Sequence, residues 1–527
     1  MERRDFLKNA GIAVVGLASR RMFAERNEGL QPKADFTLRI SSVSFDIAPG
    51  RTIHTFGYNG QVPGPLLRMK EGVPITVDVF NDTDHEEIVH WHGQMISVEA
   101  DGATEEGSPP VPPRGHRRYN FTPKPAGTRW YHSHAFAGKD LLRSLYTGQF
   151  GFVYIEPRND PGHYDNEVFL AMHQWEPYYS ASMQESDEGS APPPPNNGLE
   201  VGYRAFSFND KALGHGDPIK VRQADRVLFH FLNASATETV NVALPSHQFE
   251  VVALDGNPVP KPQKVKVLQI GAAERVDAIV SMDSPGVWIL GTTDDDDRKN
   301  GFGVVVEYAN QKGTPQWTKP EKSQWDYTLF GQETNRVVTP DGQFDLVFKK
   351  IPGGHGGFNR WTVNGKSYPH TDPMMVHAGK RYRMIFRNES DDAHPVHLHR
   401  HSFELTKVYG KATSGIVKDT VVVNANKVVE VDFTAENPGN TLFSLPSADA
   451  YGLWVYGFDE VCLRCYAESC ARHERSACHD SHSAIGRRRF PGGGNSEVSL
   501  SCNFRRGAFH KDWHSSAAAF RAICWRR

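Results

Sequence analysis

The sequence predicts an all-β protein built from three similar Greek-key β-sandwiches. Two observations carry this expectation. The 527-residue chain is rich in Gly (47) and Pro (34), and its apolar runs are short and bounded by turns. One unit also recurs three times. A strand ending at Asn81 is followed nine residues later by His90, one ending at Asn233 by Val242, and one ending at Asn388 by His397.

Composition fits a soluble globular chain, with 39% hydrophobic and 23% charged residues. A formal net charge of −3 gives no electrostatic reason to expect nucleic acid or an anionic membrane as partner. At the N-terminus, Arg3-Arg4-Asp5-Phe6-Leu7-Lys8 precedes a modest apolar run, Ala10 to Ala18. This resembles a twin-arginine export signal, with cleavage expected after Ala24. The resemblance implies the twin-arginine machinery as partner and a periplasmic or otherwise exported location. The apolar run is too short to span a bilayer, and no other segment is a candidate.

The first sandwich is expected over residues 35–157. Thr37-Leu38-Arg39-Ile40 and Ile75-Thr76-Val77-Asp78-Val79 alternate with period two. Pro63-Gly64 and Asn81-Asp82 mark turns. Two histidine pairs follow, His90-Trp91-His92 and His132-Ser133-His134. Residues two apart in a strand share a face, and imidazole suits copper, zinc, iron and nickel. The second sandwich is expected over 158–312, with Pro192–Pro195 as a loop or spacer and Asp294–Asp297 as a solvated turn. It carries Val242 and Leu244 where the other repeats carry histidine, so it has no ligand there. The third is expected over 313–458 and contains His394-Pro395-Val396-His397-Leu398-His399. His90/His92 and His397/His399 thus occupy equivalent places, and a shared metal site is expected where the first and third sandwiches meet.

Taken together, His90-Trp91-His92-Gly93, Trp130-Tyr131-His132-Ser133-His134 and the His394–His399 run resemble three of the four copper motifs of three-domain multicopper oxidases of the laccase type. The resemblance implies three cupredoxin-like domains and four coppers. A type 1 copper takes single electrons from a phenolic, aromatic amine or metal-ion donor. A cluster of one type 2 and two type 3 coppers reduces dioxygen to water. By position, His394 would be a type 1 ligand. His90 and His397 would hold the type 2 copper, and His92, His132, His134 and His399 the type 3 pair. Asp101, in Asp101-Gly102, matches a family acid that helps deliver protons; a plain Asp-Gly turn is the other reading. His401 has no ligand role in the pattern and reads as polar packing.

The family's fourth motif, His-Cys-His-x-x-x-His, is missing. Phe443 is followed by Ser444-Leu445-Pro446-Ser447-Ala448-Asp449-Ala450, without Cys or His. Those residues can be encoded TCA CTG CCA TCA GCA GAT GCA. Loss of the first T gives CAC TGC CAT CAG CAG ATG CA, which reads His-Cys-His-Gln-Gln-Met-His once the next T is added. This compatibility suggests a single-nucleotide insertion beside the Phe443 codon. Residues 459–527 fit an out-of-frame, disordered tail, with 12 Lys/Arg against 7 Asp/Glu and all six cysteines of the chain from Cys462 onward. A zinc site from Cys462, Cys465, His473, His479 and His482 is the other reading of that tail. Without the type 1 cysteine the chain as written is expected to be impaired. The alternatives are a copper-free structural or cell-division protein of the same fold, and an exported copper-binding protein without turnover.

Overall fold

In the computed structural model, the described residues are 32–444, except 138–139, 158–162, 182–197, 322–324, 334–337, 353–358 and 369, together with the backbone of Val461–Leu463. The export signal, the Pro192–Pro195 spacer, the zinc reading and the rest of the stretch after Ser444 lie outside them; within the expected out-of-frame tail, Val461–Leu463 is a strand paired antiparallel with Gly439–Thr441.

The chain is all-β as expected, in three successive pairs of sheets with two small two-stranded sheets beside them among the described residues. In the first pair, Arg51–Tyr58, Phe36–Ala48, Ile75–Asn81 and His116–Phe121 form one sheet. Leu67–Lys70, Phe150–Glu156, Gly127–Ser133 and Val89–His92 form the other. Alternate residues face inward, so Leu38, Ile40, Val77 and Val79 pack on Trp91, Tyr131, Val153 and Ile155. The middle pair has six and five strands. The third has a larger sheet around Arg381–Asn388 and a small one ordered Thr420–Val423, His394–Leu398, Phe443–Ser444. The apolar cores of the middle and third pairs run together into one cluster.

The threefold repeat has a common cause. Each Asn-ending strand lies between a parallel and an antiparallel neighbour. The terminal Asn then organises the turn behind it. Asn81 Nδ2 donates to the carbonyls of His85, Val111 and Pro112; Asn233 Nδ2 to Glu238 and Ile270; Asn388 Nδ2 to Asp392, Val423 and Asn424. Each Oδ1 accepts from the amide of a Thr or Ser two residues on: Thr83, Ser235 and Ser390. These buried amides fix the distance from the first strand to the next, so His90, Val242 and His397 arrive at matching places.

The acidic run differs from expectation. Asp295–Lys299 is a short helix, because the Asp294 side chain accepts from the amides of Asp296 and Asp297 and caps it.

Candidate metal centre

The strand Val89–His92 pairs antiparallel with Gly127–Ser133, which sets His90 opposite His132. His394 and His397 lie on His394–Leu398, and His399 follows directly. All seven histidines singled out in the sequence are buried. Six of them converge between the first and third sandwiches. His90 stacks on His399 at 4.0 Å between ring centroids, and His92 on His397 at 3.7 Å. His132 and His134 stand 5.1 and 5.5 Å from His90. His394 is not among them. Its ring meets Trp361 edge-on at 4.6 Å, and its Nε2 is 2.8 Å from the Ser390 hydroxyl.

Outer hydrogen bonds settle which ring nitrogen faces inward. Nδ1 of His90 donates to the Asp101 carbonyl (2.9 Å), that of His132 to Ser133 (2.9 Å), and that of His397 to Asp419 (2.8 Å). Nδ1 of His399 donates to Asp101 Oδ2 (2.9 Å). Each leaves Nε2 with its lone pair. His92 is the reverse: its Nε2 is taken by Asp419 Oδ1 (3.2 Å) and Thr420 Oγ1 (3.1 Å), leaving Nδ1. Burial lowers the pKa of His92, His132 and His399 well below the usual value, that of His397 to about 4 and that of His134 to about 3, with neighbouring histidines adding to the effect. These rings are therefore neutral, the form that binds metal.

The residues fit copper at this cluster. Nε2 of His90 and of His397 are buried without a hydrogen-bond partner, a costly arrangement that a metal relieves. His90, His92 and His132 form one possible ligand group, and His90, His397 and His399 another. A blue copper site does not fit the described residues in the same way. Nδ1 of His394 is buried and unpartnered, but no cysteine side chain accompanies it among the described residues, and the thiolate is central to such a site.

Asp101 closes a one-turn helix, Val98–Asp101, with Gly102 left-handed at φ +90°. A turn and a contact to the cluster thus coexist there. Its carboxylate is buried between His399 and His90, 2.9 and 3.2 Å away. Burial would raise its pKa, but the two imidazoles hold it well below the usual value. His401 packs in the interior with Nδ1 3.2 Å from the His399 carbonyl.

Several participants escaped the sequence reading. Glu106 accepts from the Leu442 amide (2.5 Å) and lies 3.7 Å from His399 Nδ1. Burial, then the Asp101 charge, pushes its pKa well up. Asp419 and Arg275 form a fully buried ion pair at the edge of the cluster, with Nη2 to Oδ2 at 2.5 Å. They are separated by 144 positions and no local motif marks either one.

Known proteins place the arrangement. Multicopper oxidase family models match residues 40–160, 167–310 and 347–444. The multicopper oxidase MmcO of Mycobacterium tuberculosis is 28% identical over 415 residues, 74% of this chain and 80% of that one. The multicopper oxidase mco of Staphylococcus aureus is 24% identical over 435 residues, 79% and 87% of the two chains. The crystal structure of a multi-copper oxidase from Pseudomonas thermotolerans superposes with a TM-score of 0.62 at 22% identity, over 82% of this chain and all of that one. With three family domains in order and a converging histidine cluster where the first and third meet, the chain belongs to the multicopper oxidases, oxidoreductases that couple copper-dependent oxidation to the reduction of dioxygen.

Proposed function

We propose that His90, His92, His132, His134, His397 and His399 hold the coppers that reduce dioxygen, and that His394 belongs to the separate electron-entry copper. The observation carrying this reading is the convergence of six buried imidazoles from two sandwiches, two of them with unpartnered Nε2 atoms. His90 and His397 would take the type 2 ion and the other four the type 3 pair. Bound copper supplies one-electron steps, four of which with four protons convert dioxygen to two waters. The chain's own residues orient the imidazoles through Nδ1 or Nε2, exclude bulk water, and keep a carboxylate, Asp101, on two of the rings. Asp101 is the candidate group for passing protons toward the cluster. The donor is a phenol, an aromatic amine or a low-valent metal ion, taken as a class.

The competence of this chain turns on position 444. Ser444 pairs with His397 within the small sheet, as His132 pairs with His90 within one sheet of the first sandwich. A histidine is what the repeat calls for there, and the family match stops at residue 444. Both facts support a one-nucleotide frame change beside the Phe443 codon, which restores His-Cys-His from position 444 onward. The chain as written then binds copper at the cluster but lacks the type 1 thiolate. Export through the twin-arginine route, guided by Arg3 and Arg4, and cleavage after Ala24 complete the proposal.

The test compares the chain as written with the frame-restored chain after copper loading. The restored chain should hold about four coppers, show an intense blue thiolate band and consume oxygen with a phenol. The chain as written should bind copper without the blue band and without turnover. Neither chain binding copper would leave a structural protein of the same fold. Reading the gene across the Phe443 codon decides the frame itself.

A further inference from the structure

The middle sandwich has no histidine at the cluster positions, yet one of its side chains reaches the cluster's edge. Arg275 is fully buried, and all five of its N–H donors have acceptors. Nη1 donates to Asp419 Oδ1 (2.8 Å) and the Ala273 carbonyl (3.0 Å). Nη2 donates to Asp419 Oδ2 (2.5 Å) and the Asp255 carbonyl (3.3 Å), and Nε to the Thr128 carbonyl (3.4 Å). Thr128 belongs to the first sandwich, Ala273 and Asp255 to the middle one, and Asp419 to the third. A lysine, with three donors and no planar fork, cannot make this set.

The fork fixes how Asp419 presents itself to the cluster. The Thr420 hydroxyl donates to Asp419 Oδ1 (3.0 Å), so toward His92 its oxygen can only accept. Asp419 Oδ1 also only accepts. Both therefore call for a proton on His92 Nε2, which leaves Nδ1 as the metal-binding atom. His90, His132, His397 and His399 are bonded the other way round. Gly93 adds an independent observation. Its φ is +80°, and a Cβ there would lie 2.5 Å from Asp419 Oδ2 and 2.7 Å from Arg275 Nη2. The residue after His92 lacks a side chain because this ion pair fills the space.

We infer that Arg275 is a positioning residue: acting through Asp419, it fixes the Nε2–H tautomer and ring orientation of His92, so that Nδ1 is presented to copper. The inference rests on the proposed cluster. The middle sandwich thereby takes part in the metal site without ligating it.

The test reads the tautomer directly in full-length, metal-free protein with isotope-labelled imidazole nitrogens, the His92 signals being assigned with His92→Gln. Wild type should show His92 as Nε2–H alone. Arg275→Met should show a mixture of tautomers, and its affinity for Cu(II) added as the bare ion should fall about 10–100-fold. Arg275→Lys should not restore either property. His92 found as Nδ1–H in wild type overturns the inference and needs no variant to fold. So does Arg275→Met with an unchanged His92 tautomer and a Cu(II) affinity within about twofold of wild type. Failure of the cluster reading looks different. Wild type would bind no Cu(II) while His92 stayed Nε2–H, which removes the ligand half of the inference.

Discussion

Two carboxylates flank His230 and favour its charged form, whereas burial favours the neutral form of His92, His132, His134, His397 and His399. Burial alone would lower the pKa of His230, but Asp277 at 2.9 Å and Glu167 at 3.2 Å reverse this and raise it from 6.5 to about 9. A folded pKa above the unfolded one means that the ring's contribution to stability is full below about pH 6.5 and is lost as pH rises through about 9. The shift corresponds to on the order of 3 kcal/mol. Urea unfolding at either end of that window should show wild type losing stability that His230→Gln does not lose; parallel losses would sink the assignment. Gly102 gives a second prediction. A Cβ there would sit 1.8 Å from the Val89 carbonyl oxygen at φ +90°. Gly102→Ala should cost more than about 2 kcal/mol and reduce copper content, because Asp101 and Val89–His92 would have to shift. Copper per chain and the thermal midpoint measure both. At this scale the sequence exposed the seven histidines, since close spacing in a strand is a local signal. Asp419, Arg275 and Glu106 stayed hidden: ordinary charged residues acquire meaning only when distant segments fold against one another.

Strands and turns were more legible. Period-two alternation marked the first of the Asn-ending strands, and the nine-residue spacing related it to the other two before any contact was known. The reason for the spacing was not visible, because it lies in hydrogen bonds from each Asn to carbonyls as far as 37 residues away. Asn233 tests that reason away from the metal. It donates to two carbonyls and accepts from one amide. Asn233→Ala should lower stability by about 2–4 kcal/mol and leave copper content unchanged. A loss below about 0.5 kcal/mol would show that the turn holds without it. The acidic run Asp294–Asp297 was expected to be a solvated turn. The Asp294 cap and the Arg298 pairing with Asp295 tipped it into a short helix.

Across the whole molecule, the proposed ligands come from segments about 300 residues apart, so bound copper fastens the first sandwich to the third. Ligand binding to the folded state alone raises its stability. Removing copper with a chelator should lower the thermal midpoint of wild type, and His90→Ala should erase most of the difference between loaded and stripped protein. Calorimetry on both forms checks this; an unchanged wild-type midpoint would separate the metal from the docking of the two sandwiches. The three-part architecture and the shared position of the site could be foreseen because the repeat lacks histidines in its middle copy. The role of that middle copy could not, since the Arg275 side chain makes its hydrogen bonds to backbone carbonyls and one carboxylate.

The back-to-back approach of Gly93 and the Arg275–Asp419 pair bears on how far the protein can be taken apart. Three sandwiches in a row invite dissection into separately expressed pieces, or exchange of the middle piece with that of a relative. Here the seams are charged and bare of side chains: a Cβ on Gly127 would sit 1.8 Å from the Gly256 oxygen, and one on Gly271 would sit 2.1 Å from Val422. A graft would have to bring an arginine, its carboxylate and these glycines as one set. The natural module for engineering is therefore the three-way junction, which crosses every domain boundary drawn along the chain.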